Sequence, residues 1–339
     1  MFLSSHTEFQ PLKSCMVGRC YPPEFFAKIP NLHVSKTMQR IAEETEEDYQ
    51  KLINILKSFN IDVVRPEIVS TNDFKEYLYI TPDRKYLYQP PPMQPRNYLF
   101  VLGDKLFMQR PYGEFYKDFY ANFYESVSTP KFRSQDIEIL RDEALFVPPS
   151  ITRFGKDLYF DGQESLEALK HLFPGYRYHN LPTGGHSDSV FCIVKPGLII
   201  TLCEAEQLRL EERFPGWDIV YLPNKNWDLI EGWNTLKYKN HGRWWLPEDV
   251  NDDFVNYVDE YLDHWLGFVE ETVFEVNMLI IDDKNVIISN ECQPVIEAFR
   301  RHGITPHLCN FRHRHFWDGG LHCLTQDLIR DGECIDYFA

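Results

Sequence analysis

The sequence predicts an α/β fold, a five-bladed, pseudo-symmetric α/β propeller of hairpin–helix–strand units. Three observations predict it. One pattern of apolar run, short turn and apolar run recurs four times along the chain. Helical patterns, each trailed by a short strand, follow these hairpins. The two chain ends together carry the pieces of a fifth unit. A supersecondary unit that recurs and borrows from both termini is the signature of a closed ring.

The elements follow in order. "KSCMVGR" (residues 13–19) reads as a strand, "EEDYQKLINILKSFN" (46–60) as a helix and "IDVVRP" (61–66) as the next strand. "YLFVLGDKLFMQ" (98–109) is the first hairpin, with a Gly-Asp turn. "ITRFGKDLYF" (151–160), "VFCIVKPGLIITL" (190–202) and "VNMLIIDDKNVIIS" (276–289) repeat it. Each has β-rich apolar strands around Gly, Asp, Asn or Pro, the residues that tight hairpin turns demand. Residues 163–173, 204–214 and 293–303 show apolar positions at helical spacing. The last ends in Arg300-Arg301-His302-Gly303, basic residues then glycine, as a helix C-terminus should. "CLTQDLIRDGECIDYF" (323–338) reads as a last hairpin around Arg330-Asp331-Gly332.

With 43% hydrophobic residues, the 339-residue chain can bury a sizeable core. At that length it could be one large domain or two, with residues 224–263, aromatic and turn-rich, as a candidate insertion between units. No run is long and apolar enough for a membrane helix, and "MFLSSHTEFQPLK" lacks the basic start and apolar core of a secretory signal, so a cytoplasmic protein is expected. The net charge of −16 argues against nucleic acid or an anionic membrane as partner. The eight cysteines form no CxxC pair and are expected reduced and mostly buried. "RHRHFW" (312–317) with Cys309 or Cys323 lacks a second ligand pair at finger-like spacing, so no metal is expected.

In such a ring the start of each hairpin faces the central axis. The residues there are Asn97, Ser150, His186 with Asp188, Glu275 with Asn277, and Cys323. Polar groups gathered at one topological position suggest a site, because burying them without partners is costly. A thiolate is the attacking species, and a neighbouring imidazolium favours it, so Cys323 and His186 make a candidate nucleophile and acid/base pair. Asp188, two residues after His186, shares its face if both lie on one strand, where it could bind a cation. From these residues alone, a core cysteine and a surface histidine remain the alternative. Gly319-Gly320 stands just before His322-Cys323, where a glycine pair permits a sharp turn or a close approach.

At this point the chain resembles the amidinotransferase branch of the guanidino-group-modifying enzymes, which includes glycine amidinotransferase. "EFQPLKSCMVGR", "PRNYLFVLGDKL", "RFGKDLYF", "HSDSVFCIVKPGLII" and "GGLHCLTQDLIRDG" carry the resemblance over nearly the full length. It implies a single-domain propeller over 1–339 without cofactor or metal, acting on a small-molecule guanidino donor and an amine acceptor, and makes a homodimer reasonable. It implies that Cys323 is the nucleophile, His186 the general acid/base and Asp188 a carboxylate gripping the guanidinium. Asn97 and Ser150 stand where the family usually has aspartates, and 201–207 lacks the family's donor-binding arginine. Glu275 could restore a negative charge, suiting a cation or polyamine. The expected activity is therefore amidino transfer with altered substrate recognition, with guanidino hydrolysis or a lapsed, binding member of the family as alternatives.

Overall fold

The computed structural model describes residues 3–66, 78–80, 86–88, 91–97, 99–108, 138–140, 151–160, 166–181, 186–202, 209–222, 251–262, 273–317 and 319–339. Seventeen strands are described. They are β1 (Leu12–Val17), β2 (Asp62–Val64), β3 (Leu78–Ile80), β4 (Tyr86–Tyr88), β5 (Leu99–Leu102), β6 (Lys105–Met108) and β7 (Glu138–Leu140). β8 (Thr152–Phe154), β9 (Asp157–Phe160), β10 (Arg177–Asn180), β11 (Phe191–Lys195) and β12 (Leu198–Thr201) follow. β13 (Asp218–Tyr221), β14 (Leu279–Ile280), β15 (Asn285–Ile288), β16 (Thr305–Leu308) and β17 (Thr325–Arg330) complete the set.

Five of the sheets have three strands and one shared topology. In four of them an antiparallel hairpin is joined by a parallel third strand: β5-β6-β7, β8-β9-β10, β11-β12-β13 and β14-β15-β16. A right-handed parallel return needs a crossover, which helices supply. They include α3 (Leu166–Leu172) before β10, α4 (Leu210–Arg213) before β13 and α7 (Gln293–His302) before β16. The remaining helices are α1 (Pro23–Phe26), α2 (Leu32–Ser58), α5 (Asp252–Tyr257), α6 (Val273–Val276) and α8 (Arg314–Trp317). Gly303 ends α7 at φ +66°, the left-handed cap anticipated from the sequence.

The fifth sheet is built as β17-β1-β2. β1 pairs antiparallel with β17 and parallel with β2, so the N-terminal strand takes the place of a hairpin's second strand. This corrects the expectation of a C-terminal hairpin: the chain turns after Arg330, and 331–339 forms no strand. α2, capped by Asn31 accepting from the N–H groups of His33 and Val34, makes the crossover to β2.

The strands read as continuous apolar runs because both faces are buried, each against a different neighbouring sheet. Side chains alternate along a strand. On β5, Leu99 and Val101 pack with Met16 and Leu328 of the fifth sheet. Phe100 and Leu102 pack instead with Ile151, Leu158 and Phe160 of the next sheet. On β9, Tyr159 faces the other way, into a cluster with Phe191, Ile193 and Val286. On β15, Ile287 joins Cys15 and Val17 of β1. A one-residue slip would swap these partners throughout, which fixes the register. The N-terminal segment ties three units together by bridges from Ser4 to Ile329, Ser5 to Gly103 and Thr7 to Phe154.

Of the candidate insertion, α5 and a π-helical turn at Val258–Leu262 are described, and they pack Phe254, Val258 and Leu262 into the cluster around α2. Residues 223–250 lie outside the described residues. Among the described residues, no helix is long and apolar enough to cross a membrane.

Candidate active site

Cys323 sits at the turn that leads into β17. Leu324 N–H donates to the Gly320 carbonyl at 3.0 Å and Thr325 N–H to that of His322 at 3.1 Å, which tightens the turn. Arg96, in the Pro95–Asn97 turn before β5, donates from Nε to the carbonyls of His322 and Thr325 at 3.1 and 3.2 Å. The turn's carbonyls are thus fixed from another sheet.

Asn277, between α6 and β14, makes the most direct hold on the cysteine. Its Oδ1 accepts from the Cys323 N–H at 3.0 Å, and its Nδ2 lies 3.0 Å from Sγ and 3.3 Å from the Asp188 carbonyl. The glycine pair makes this possible. A Cβ on Gly320 would stand 2.6 Å from Cβ and Oδ1 of Asn277, so the main chain comes close enough to Asn277 only without a side chain there.

Asp188 lies on a short 3-10 turn, Ser187–Ser189, with His186 at its N-cap. A turn in place of a strand removes the expected alternation, and Asp188 bonds His322: Oδ2 is 2.7 Å from its Nδ1 and 3.5 Å from Sγ of Cys323. Burial opposes ionisation of Asp188, but the hydrogen bond and charge of His322, with His186 and Arg96 nearby, hold its carboxyl well below the ordinary range. The consequence for Cys323 is opposite. Burial first, then the charge of Asp188, push the thiol well above its ordinary value, and the Asn277 N–H and Arg96 only partly offset them.

Beneath the site lies a buried charge network. Asp327 on β17 accepts from Arg96 (2.8 Å), Arg153 (2.6 Å) and Arg330 (2.8 Å), all buried. Arg153, on β8, also binds both oxygens of Glu8 at 2.9 Å. Glu8 in turn reaches Nε2 of His322 at 3.1 Å, closing a chain from the network to the pocket.

The structure therefore brings Cys323, Asp188 and Asn277 together. Glu275, on α6, accepts from Asn290 at 2.5 Å and makes no bond to these three. Asn97 ends the turn that carries Arg96, its side chain being outside the described set, and Ser150 lies outside the described residues. Sequence reasoning missed His322, Glu8, Arg96, Arg153 and Asp327. Arg153 and Asp327 left a weak signal: each is a charge within a strand whose residues are nearly all buried.

The fold and this site define the class. No protein-family model matches the chain. A mitochondrial glycine amidinotransferase from Gallus gallus is 24% identical over 403 residues, covering 98% of this chain and 84% of that protein. SxtG, an amidinotransferase from Microseira wollei, superposes with a TM-score of 0.68 at 19% identity, covering 99% of both chains. A DDAH from Pseudomonas aeruginosa, solved with citrulline, superposes with a TM-score of 0.54 at 11% identity, covering 93% of this chain and 98% of that one. The chain is thus related, over nearly its whole length, to the amidinotransferase branch of the guanidino-group-modifying enzymes.

Proposed function

We propose that the chain is an amidinotransferase that carries an amidino group on Cys323. The observation that carries this reading is the placement of Sγ between the Asn277 amide and the Asp188 carboxylate, at 3.0 and 3.5 Å. In the free protein the cysteine is a thiol, held so by burial and Asp188. A cationic guanidinium docking on Asp188 offsets that charge and favours the thiolate, the thiol's proton passing by way of solvent to His186 and the Asn277 N–H donating to the sulfur. Sγ then attacks the guanidinium carbon, His186 protonates the departing amine, and an S-amidino thiouronium remains on Cys323. An acceptor amine, deprotonated by His186, attacks the same carbon and releases the thiol. Asn97, Ser150 and Glu275 are the further positions assigned to substrate contact.

The same reading takes residues 1–339 as one cytoplasmic domain in a five-bladed propeller. The shared packing of each sheet with two neighbours supports it. A second reading, hydrolysis with water as acceptor, draws on the likeness to a DDAH.

Intact-mass analysis tests the reading. After incubation with arginine, agmatine or another guanidino compound and an acid quench, one added amidino group is expected, absent from Cys323→Ser. Chasing the adduct with amines or with water separates transfer from hydrolysis. Neither adduct nor donor consumption would sink both readings in favour of a lapsed, ligand-binding protein.

A further inference from the structure

His322 has no role in the chemistry above, yet both of its ring nitrogens are committed. Nδ1 stands 2.7 Å from Asp188 Oδ2 and Nε2 3.1 Å from Glu8 Oε2, with the side chain only 10% exposed. Burial opposes ionisation of Glu8, but Arg153 holds its carboxyl well below the ordinary range. Each ring nitrogen thus faces a carboxylate oxygen at hydrogen-bond distance. The other charged groups around it are Arg153 behind Glu8, Arg96 on its carbonyl, and the neighbouring Cys323. Oδ2 of Asp188 is taken by His322 and shared with the Cys323 S–H, whereas Oδ1 is buried and has no hydrogen-bond partner among the described residues.

We propose that His322 is a positioning residue for substrate recognition: it occupies one oxygen of Asp188, so that the single free oxygen, Oδ1, grips the donor's cationic group. The identity of that donor rests on the guanidino-transfer reading, but the geometry of His322 does not. A carboxylate with two free oxygens takes a guanidinium as a bidentate pair. His322 prevents that pairing and holds the Asp188 oxygen nearest Cys323 in a hydrogen bond. It trades donor affinity for correct placement of the reacting carbon and an accessible thiolate.

His322→Phe and His322→Leu test this, because neither side chain can donate to Oδ2. Folding is checked by far-UV circular dichroism and thermal midpoint. Two quantities are read: KM and kcat for the guanidino donor, and the pH midpoint of iodoacetamide alkylation at Cys323, followed by peptide mass. The expected result is a KM lowered about threefold or more with a kcat lowered at least tenfold, and an alkylation midpoint shifted upward. A generally damaged site would raise KM instead. A raised or unchanged KM, or an unmoved midpoint, in a folded variant overturns the proposal. Failure of both variants to fold also overturns it, since His322 would then be structural. If the unsubstituted protein consumes no guanidino donor, the functional reading fails by itself, and the alkylation midpoint alone decides the role of His322.

Discussion

A Cβ on Gly320 would stand 2.6 Å from Oδ1 of Asn277, the same oxygen that accepts from the Cys323 N–H at 3.0 Å. The glycine therefore acts on Cys323 through Asn277. Gly320→Ala should displace Asn277 and release Sγ from its amide. Misplacing a reacting group by about 1 Å can cost roughly 10²-fold in rate, and kcat should fall by about that much. The overpacking should also cost about 1–3 kcal/mol of stability. Asn277→Ala should reproduce the loss of kcat without the overpacking. Steady-state kinetics and urea unfolding check both; Gly320→Ala with unchanged kcat would show that Asn277 does not place the thiol.

The alkylation behaviour of Cys323 should report its two perturbing causes. Burial raises the thiol's pKa, and so does the charge of Asp188. The unsubstituted protein should react with iodoacetamide at Cys323 only slowly at pH 8, where an ordinary exposed thiol is already partly ionised. Asp188→Asn removes the charge but not the burial, so the midpoint should move down without reaching the ordinary value. The pH profile of the alkylated Cys323 peptide gives the sign directly.

Much of this was legible beforehand, for identifiable reasons. The hairpins announced themselves because strands buried on both faces are continuous apolar runs, and the turns needed Gly103, Gly155 and Gly197 at positive φ. The fifth unit was recognised, but its partner strand was not. A turn at Arg330-Asp331-Gly332 looks the same in sequence whether or not a strand follows, and only the pairing of β1 with β17 decides. At the site, position within the repeat located Cys323, Asp188 and Asn277. The contact of Asp188 with His322 had no signal, and the shared face expected of His186 and Asp188 needs a strand where the chain makes a 3-10 turn. Glu8 could not be found at all, since a sequence separation of 145 from Arg153 leaves no local pattern linking the two.

The buried network under the site should make the fold acid-sensitive. Glu8 and Asp327 are both held below their ordinary values of 4.5 and 3.8, chiefly by Arg153 against the effect of burial. Groups depressed in the folded state contribute stability that is complete above the unfolded values and is lost as pH falls below them. Thermal midpoints should therefore be insensitive to these groups near neutrality and decline below about pH 4.5. Arg153→Met leaves both carboxylates buried without their main partner. Breaking a buried pair from one side costs about 3–5 kcal/mol, and chemical unfolding of the variant should show a loss of that order. A loss under about 1 kcal/mol, the scale of an exposed pair, would mean that the network is solvated.

His186 makes no side-chain hydrogen bond among the described residues, while Asp188 is bonded to His322. Proton transfer to the departing amine and from the acceptor amine is the role proposed for His186. General acid–base catalysis contributes roughly 10²–10⁴-fold, and His186→Ala should lose that much turnover with arginine-like donors, whose amine must be protonated to leave. With S-methylisothiourea the leaving group is methanethiolate, which departs without a proton: Sγ bonds to the amidino carbon as the C–S bond to methanethiolate breaks. The variant should therefore still form the Cys323 adduct from this donor, visible as one added amidino group in the intact mass. The adduct should then persist, because the acceptor amine has lost its base. Absence of the adduct in a folded variant would show that His186 acts before amine departure, on the thiol itself.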